Sequence, residues 1–118
     1  MGSNATEHKL ILTDDVWKEA RVQAALEEKT ASEICAYVLQ YYLDLATAEK
    51  PPILIRDVKD GRPHSVYLEK QLWVELVACH LTESRPISAI LEQQLRAYMG
   101  LELPELNESQ DEGGAKVQ

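Results

Sequence analysis

The chain has no apolar run near the roughly 18 to 20 residues needed to span a bilayer, which excludes a membrane-spanning helix. It has no Gly-rich phosphate loop, no His, Cys and carboxylate set at ligand spacing, and no nucleophile beside an obvious base. Neither catalysis nor a cofactor is expected. Its only two cysteines, Cys35 and Cys79, fall inside helical patterns without a partner at metal spacing, so both are expected to be reduced, buried thiols with neither metal nor disulfide. Nothing at the start pairs a charged stretch with an apolar one as a signal peptide does, and a cytoplasmic location is expected. Met1 to Ala5 read MGSNA, like an expression scar, and residues 1–6 are expected to lie outside the fold.

Basic residues are also scarce. Twelve stand against 20 acidic ones, for a formal charge of -8. Half of that excess lies in the stretch from residue 102 onward, where Glu102, Glu105, Glu108, Asp111 and Glu112 face only Lys116. This stretch is poor in large apolar residues after Leu106 and is expected to be disordered. The acidity argues against indiscriminate nucleic-acid binding, which depends on Lys and Arg neutralising phosphates. Specific binding through a local patch remains open.

What the chain does have is internal similarity. Laying residues 8–45 over 64–101, without a gap, pairs His8 with His64, Leu12 with Leu68 and Trp17 with Trp73. At the same offset of 56, Glu19, Glu27, Ser32, Ile34, Leu39, Tyr42 and Leu45 meet Glu75, Glu83, Ser88, Ile90, Leu95, Tyr98 and Leu101. Such agreement implies two copies of one supersecondary unit. A half of about 40 residues buries too little surface to fold alone, so the halves are expected to pack as a pseudo-dimer.

Each half reads as strand, helix, helix. EHKLILT at 7–13 alternates, with Leu10 and Leu12 on one face and Lys9 and Ile11 on the other, and PHSVYLE at 63–69 does the same. Asp14 and Asp15 suit the start of a helix from about Val16 to Glu28, with Val16, Ala20 and Ala24 inward; Leu72, Leu76 and His80 take those places in the second half. Thr30 with Glu33 forms a capping box for a helix from about Ala31 to Leu45, and Pro86 opens its counterpart from about Ile87 to Gly100. Trp17 and Trp73 are expected at the core or its edge. His8 and His64 share the parity of Leu10 and are expected to face inward or to the edge. The halves thus span 7–45 and 63–101. In the linker at 46–62, Asp60-Gly61 between ILIRDV and RPHSVYL is a hairpin signal that predicts an extra strand at 53–58.

The junctions LTDDVW and LEKQLW and the turns KTASEI and RPISAI, occurring twice, resemble the ribbon-helix-helix family of DNA-binding repressors. The resemblance implies a mainly α fold with a short antiparallel ribbon, two units being fused in one chain. It implies insertion of the two-stranded ribbon into the major groove of double-stranded DNA. It maps Glu7, Lys9 and Ile11 of one half, and Pro63, Ser65 and Tyr67 of the other, onto the base-reading face. These sets differ, so the site read by one molecule is expected to be non-palindromic. It further implies phosphate contacts at Lys29, Thr30, Ala31 and Ser32 and at Arg85, Pro86, Ile87 and Ser88, where the start of the second helix favours an anion.

Transcription regulation by a monomer built as a pseudo-dimer is the expected function, with room for further association on DNA. Glu28 and Ser84 stand where the family often has Gly, which predicts an altered turn. A third strand would block groove entry. The alternative is a ribbon-helix-helix scaffold that no longer binds DNA and takes a protein partner, consistent with the acidic surface and the apolar Ile11 and Tyr67 on the ribbon.

Overall fold

The computed structural model describes residues 5–104. The expectations for Met1 to Asn4 and for the acidic stretch from residue 105 lie outside the described residues. The chain runs β1 (Ala5–Leu12), α1 (Asp14–Leu26), α2 (Ala31–Asp44), a 3-10 turn (Thr47–Glu49), β2 (Arg62–Glu69), α3 (Lys70–Glu83) and α4 (Ile87–Met99). No helix is long and apolar enough to cross a membrane among the described residues.

β1 and β2 form an antiparallel two-stranded sheet, with Lys9 opposite Ser65 and Leu12 opposite Arg62. Alternation sends Leu10, Leu12, Val66 and Leu68 inward, where all four are buried. They meet Val16, Ala20 and Ala24 of α1, Leu72 and Leu76 of α3, and the apolar stripes of α2 and α4. That core draws on every helix and both strands. An inward leucine such as the fully buried Leu12 is worth about 3 kcal/mol against alanine.

Several boundaries move. β1 begins at Ala5, so two residues assigned to the tag-like start belong to the ribbon. α1 begins at Asp14 rather than Val16, placing both carboxylates inside its first turn, where the helix dipole favours them. Its N-cap, Thr13, makes no side-chain cap; the hydroxyl donates to Glu92 of α4 at 2.8 Å instead. The capping box at Thr30 and Glu33 forms in full.

The extra strand does not form among the described residues: the only sheet has two strands. Ile53 to Ile55 run along α4, where Gln93 Oε1 accepts from the amides of Leu54 at 2.9 Å and Ile55 at 3.0 Å, and Gln93 Nε2 donates to the Pro52 carbonyl at 2.8 Å. A buried side chain satisfies the backbone groups that a neighbouring strand was expected to satisfy. Gly61 brings the linker back against β1: a Cβ there would lie 2.7 Å from Ile11 Cγ2 and 3.2 Å from the Leu12 carbonyl carbon.

Candidate nucleic-acid interface

The outward face of the ribbon is built from three cross-strand pairs: Glu7 with Tyr67, Lys9 with Ser65, and Ile11 with Pro63. All six base-face residues named from the sequence come together there. Glu7, Lys9, Pro63 and Tyr67 are exposed, while Ile11 and Ser65 are half-buried. Lys9 Nζ donates to Ser65 Oγ at 2.8 Å, Ser65 Oγ donates to the Glu7 carboxylate, and Lys9 lies 3.1 Å from the same carboxylate. The Ser65 hydroxyl, aided by Lys9, holds the Glu7 carboxyl below its ordinary range. The cation at the centre of the ribbon is thereby matched by an anion.

The ribbon register is unchanged when each residue is replaced by the one 56 positions away: Lys9 and Ser65, related by that offset, face each other directly. Contacts around the ribbon recur at the same offset. His8 stacks on Trp73 at 3.8 Å between ring centres, and His64 on Trp17 at 4.9 Å. Both tryptophans lie at the core edge, as expected. Burial lowers the pKa of His8, and His64 Nε2 lies 3.8 Å from Asp14 Oδ1.

Ser32 and Ser88 are half-buried, and each accepts a hydrogen bond from the strand of the opposite half. Ser88 Oγ accepts from the Ile11 amide, and Ser32 Oγ accepts from the Tyr67 amide, each at 2.8 Å. Each hydroxyl closes the open edge of the ribbon with the first turn of a helix. Thr30 is also engaged, since its hydroxyl accepts from the Glu33 amide while Glu33 Oε1 accepts from the Thr30 amide. The Glu33 carboxylate therefore occupies the N-terminus of α2. The corresponding end of α4 carries Pro86 and no side-chain cap.

Lys29 is exposed and lies 3.5 Å from Glu27. Arg85, expected to match it as a phosphate-facing cation, is corrected by the structure. It is 2% exposed, and its guanidinium donates to the Ile55 carbonyl at 2.8 Å, Glu83 Oε1 at 3.1 Å, Gln93 Oε1 at 3.2 Å and Tyr42 Oη at 3.2 Å. Those groups pull it inward because together they satisfy a buried charge. Burial, then the bond to Glu83, pushes the Tyr42 hydroxyl up to about 12. Burial raises the Glu83 carboxyl too, but bonds from Tyr42, Cys79 and Arg85 outweigh it and leave the pKa lowered. Sequence patterning missed this cluster because Gln93 and Glu83 carry no motif; their only signal was polar side chains on helix stripes otherwise apolar.

The turns before α2 and α4 match each other in backbone form. Glu28 and Ser84 adopt φ values of 60° and 55°, so the left-handed turn expected of Gly is made without it. Cys35 is buried and Cys79 half-buried, and burial lifts their thiols to about 12 and about 11, which disfavours the thiolate at both. No family model matches this chain, and no curated protein or solved structure matches it either.

Proposed function

We propose that this protein is a single-chain, sequence-specific DNA-binding regulator of ribbon-helix-helix type, its two halves being copies of one unit fused as an intramolecular pseudo-dimer. The observation that carries the reading is the ribbon, two strands wide among the described residues, with a register that survives the 56-residue offset. A ribbon of that width suits the major groove, about 12 Å across. Lys9, Ser65 and Glu7 at its centre supply hydrogen-bonding groups for base edges, and Ile11 and Tyr67 supply apolar ones. The halves present different side chains, so the site is non-palindromic. Lys29 and the uncapped start of α4 serve the phosphates on either side.

Binding of a pool of short genomic duplexes, followed by fluorescence anisotropy at two salt concentrations, tests this. Affinity should fall with salt at a log-log slope of about -0.9 per phosphate engaged. Lys29→Ala should weaken binding to every duplex, and Lys9→Ala should change which duplex is preferred. Absence of binding at low salt would sink the reading.

A second reading, a ribbon-helix-helix scaffold for a protein partner, draws support from two observations. Lys9 is matched by Glu7, and Arg85 is turned into the interior. A folded protein that binds no duplex would favour it.

A further inference from the structure

The cluster that pins the linker has a counterpart at the 56-residue offset, and the counterpart is open. On the linker side, Tyr42 donates to Glu83 and Glu83 pairs with Arg85. On the other side, Tyr98 donates to Glu27 at 2.7 Å and Glu27 pairs with Lys29. Here Glu27 raises the Tyr98 hydroxyl to about 12.

The linker occupies the first of these sites without regular secondary structure. Lys50 Nζ lies 4.3 Å over the Tyr42 ring and donates to the Tyr42 carbonyl. Pro52 to Ile55 bond to Gln93, and the Ile55 carbonyl accepts from Arg85. At the second site no described segment takes that place. Tyr37, the residue equivalent to Gln93, is 53% exposed, Tyr41 is 54% exposed and Tyr98 is 37% exposed. With Val38, Gln94 and Ala97 they line a groove of about 330 Å³, and Tyr37 and Tyr98 rings meet at 5.6 Å.

We propose that this groove docks an extended, proline-containing apolar peptide with a basic residue at its N-terminal end, supplied by a protein partner. The occupant is identified by the segment of this chain, Lys50-Pro51-Pro52-Ile53-Leu54-Ile55, that lies on the equivalent site. The replacement of Gln93 by Tyr37 at the equivalent place removes the amide that grips backbone groups and adds an aromatic face. Aromatic-lined grooves select proline-rich extended peptides because these are already ordered before they bind. A cation at the peptide's start would lie over Tyr98 as Lys50 lies over Tyr42, and Lys29, 5.9 Å from the Tyr37 ring centre, borders the same groove. The groove lies between α2 and α4 and shares no residue with the outward ribbon face, and Tyr37, which carries the test below, has no part in the proposed DNA contacts.

A fluorescein-labelled Lys-Pro-Pro-Ile-Leu-Ile-Arg peptide, titrated with the whole protein, provides the test. Saturable binding is expected, weakened at least about tenfold by Tyr37→Ala, a loss of about 1.4 kcal/mol. Replacing both peptide prolines by glycine should weaken binding as well. Backbone shifts mapped by NMR on the unaltered protein should concentrate at Tyr37, Val38, Tyr41, Ala97 and Tyr98, which guards against a variant that misfolds. No binding at millimolar peptide, equal binding of the glycine peptide, or shifts elsewhere would overturn the proposal. So would self-association of the protein through the same tyrosines, which would make a second copy the occupant.

Discussion

At the scale of single residues, Arg85 shows how position in a turn fails to decide the direction of a side chain. Lys29 and Arg85 hold matching places, but only Arg85 has Gln93, Tyr42, Glu83 and the Ile55 carbonyl within reach, and it is buried among them. Arg85→Ala should destabilise the protein by about 3 kcal/mol, because it leaves Glu83 and a backbone carbonyl without their partner. Urea unfolding measures this, and a loss under 1 kcal/mol would contradict it. Glu83 also ties stability to acidity. Its folded pKa lies below the ordinary 4.5, so its contribution is complete above that pH and is lost as acid carries the pH down through the folded value. Glu83→Gln should therefore be less stable at pH 7 and show a flatter decline between pH 5 and 3. Parallel curves for the two proteins would show that Glu83 contributes nothing to acid sensitivity.

Glu28 raises a different residue-scale question, since its φ of 60° costs a side chain about 1 to 2 kcal/mol. Glycine relieves that cost but loses about 0.5 to 1 kcal/mol more through the freedom of its unfolded chain. Glu28→Gly should thus gain only about 0.5 kcal/mol, roughly 3 °C in melting temperature. A lower melting temperature would mean that Glu28 makes a compensating contact.

At the scale of elements, local signals read the strands and helices well. Alternation in the two ribbon segments and 3.6-residue stripes in the four helices fixed type and order, and the capping box at Thr30 and Glu33 fixed the start of α2. The hairpin signal in the linker yields no strand for a physical reason. A hairpin signal reports that residues can turn and extend, whereas strand formation also needs a free edge. On β2 that side is taken: the Tyr67 amide already donates to Ser32, and the linker amides find Gln93. The serines illustrate the same limit in the candidate site. Their place in the first turn of the second helix was legible, but their bond to the strand of the opposite half was not, because it depends on docking between halves. Ser88→Ala should leave the Ile11 amide without its acceptor and cost about 1 kcal/mol. Hydrogen exchange at Ile11 should accelerate, and an unchanged rate would show that Ser88 does not hold that amide.

At the scale of the whole molecule, the core and ribbon join the first half of the chain to the second at almost every contact that matters. Leu10 and Leu12 pack with Val66 and Leu68, each tryptophan stacks on a histidine from the opposite half, and each ribbon edge is closed by a serine from the opposite half. On the proposed pseudo-dimer reading, the covalent linker makes the association of the two halves an intramolecular event and supplies effective concentration. Cutting the exposed 3-10 turn between Ala48 and Glu49 removes that role while leaving Lys50 to Ile55 bonded to Tyr42 and Gln93. The intact chain should melt at one temperature at every concentration. The cut chain should melt lower on dilution, since a hundredfold change in partner concentration alters stability by about 2.7 kcal/mol, equivalent to roughly 10 °C or more for a domain of this size. Neither fragment alone should show a cooperative transition, because each would expose half of the shared core. A cut chain whose melting ignores concentration, or a fragment that melts cooperatively by itself, would mean that a half folds without its counterpart and that the two units are separate domains.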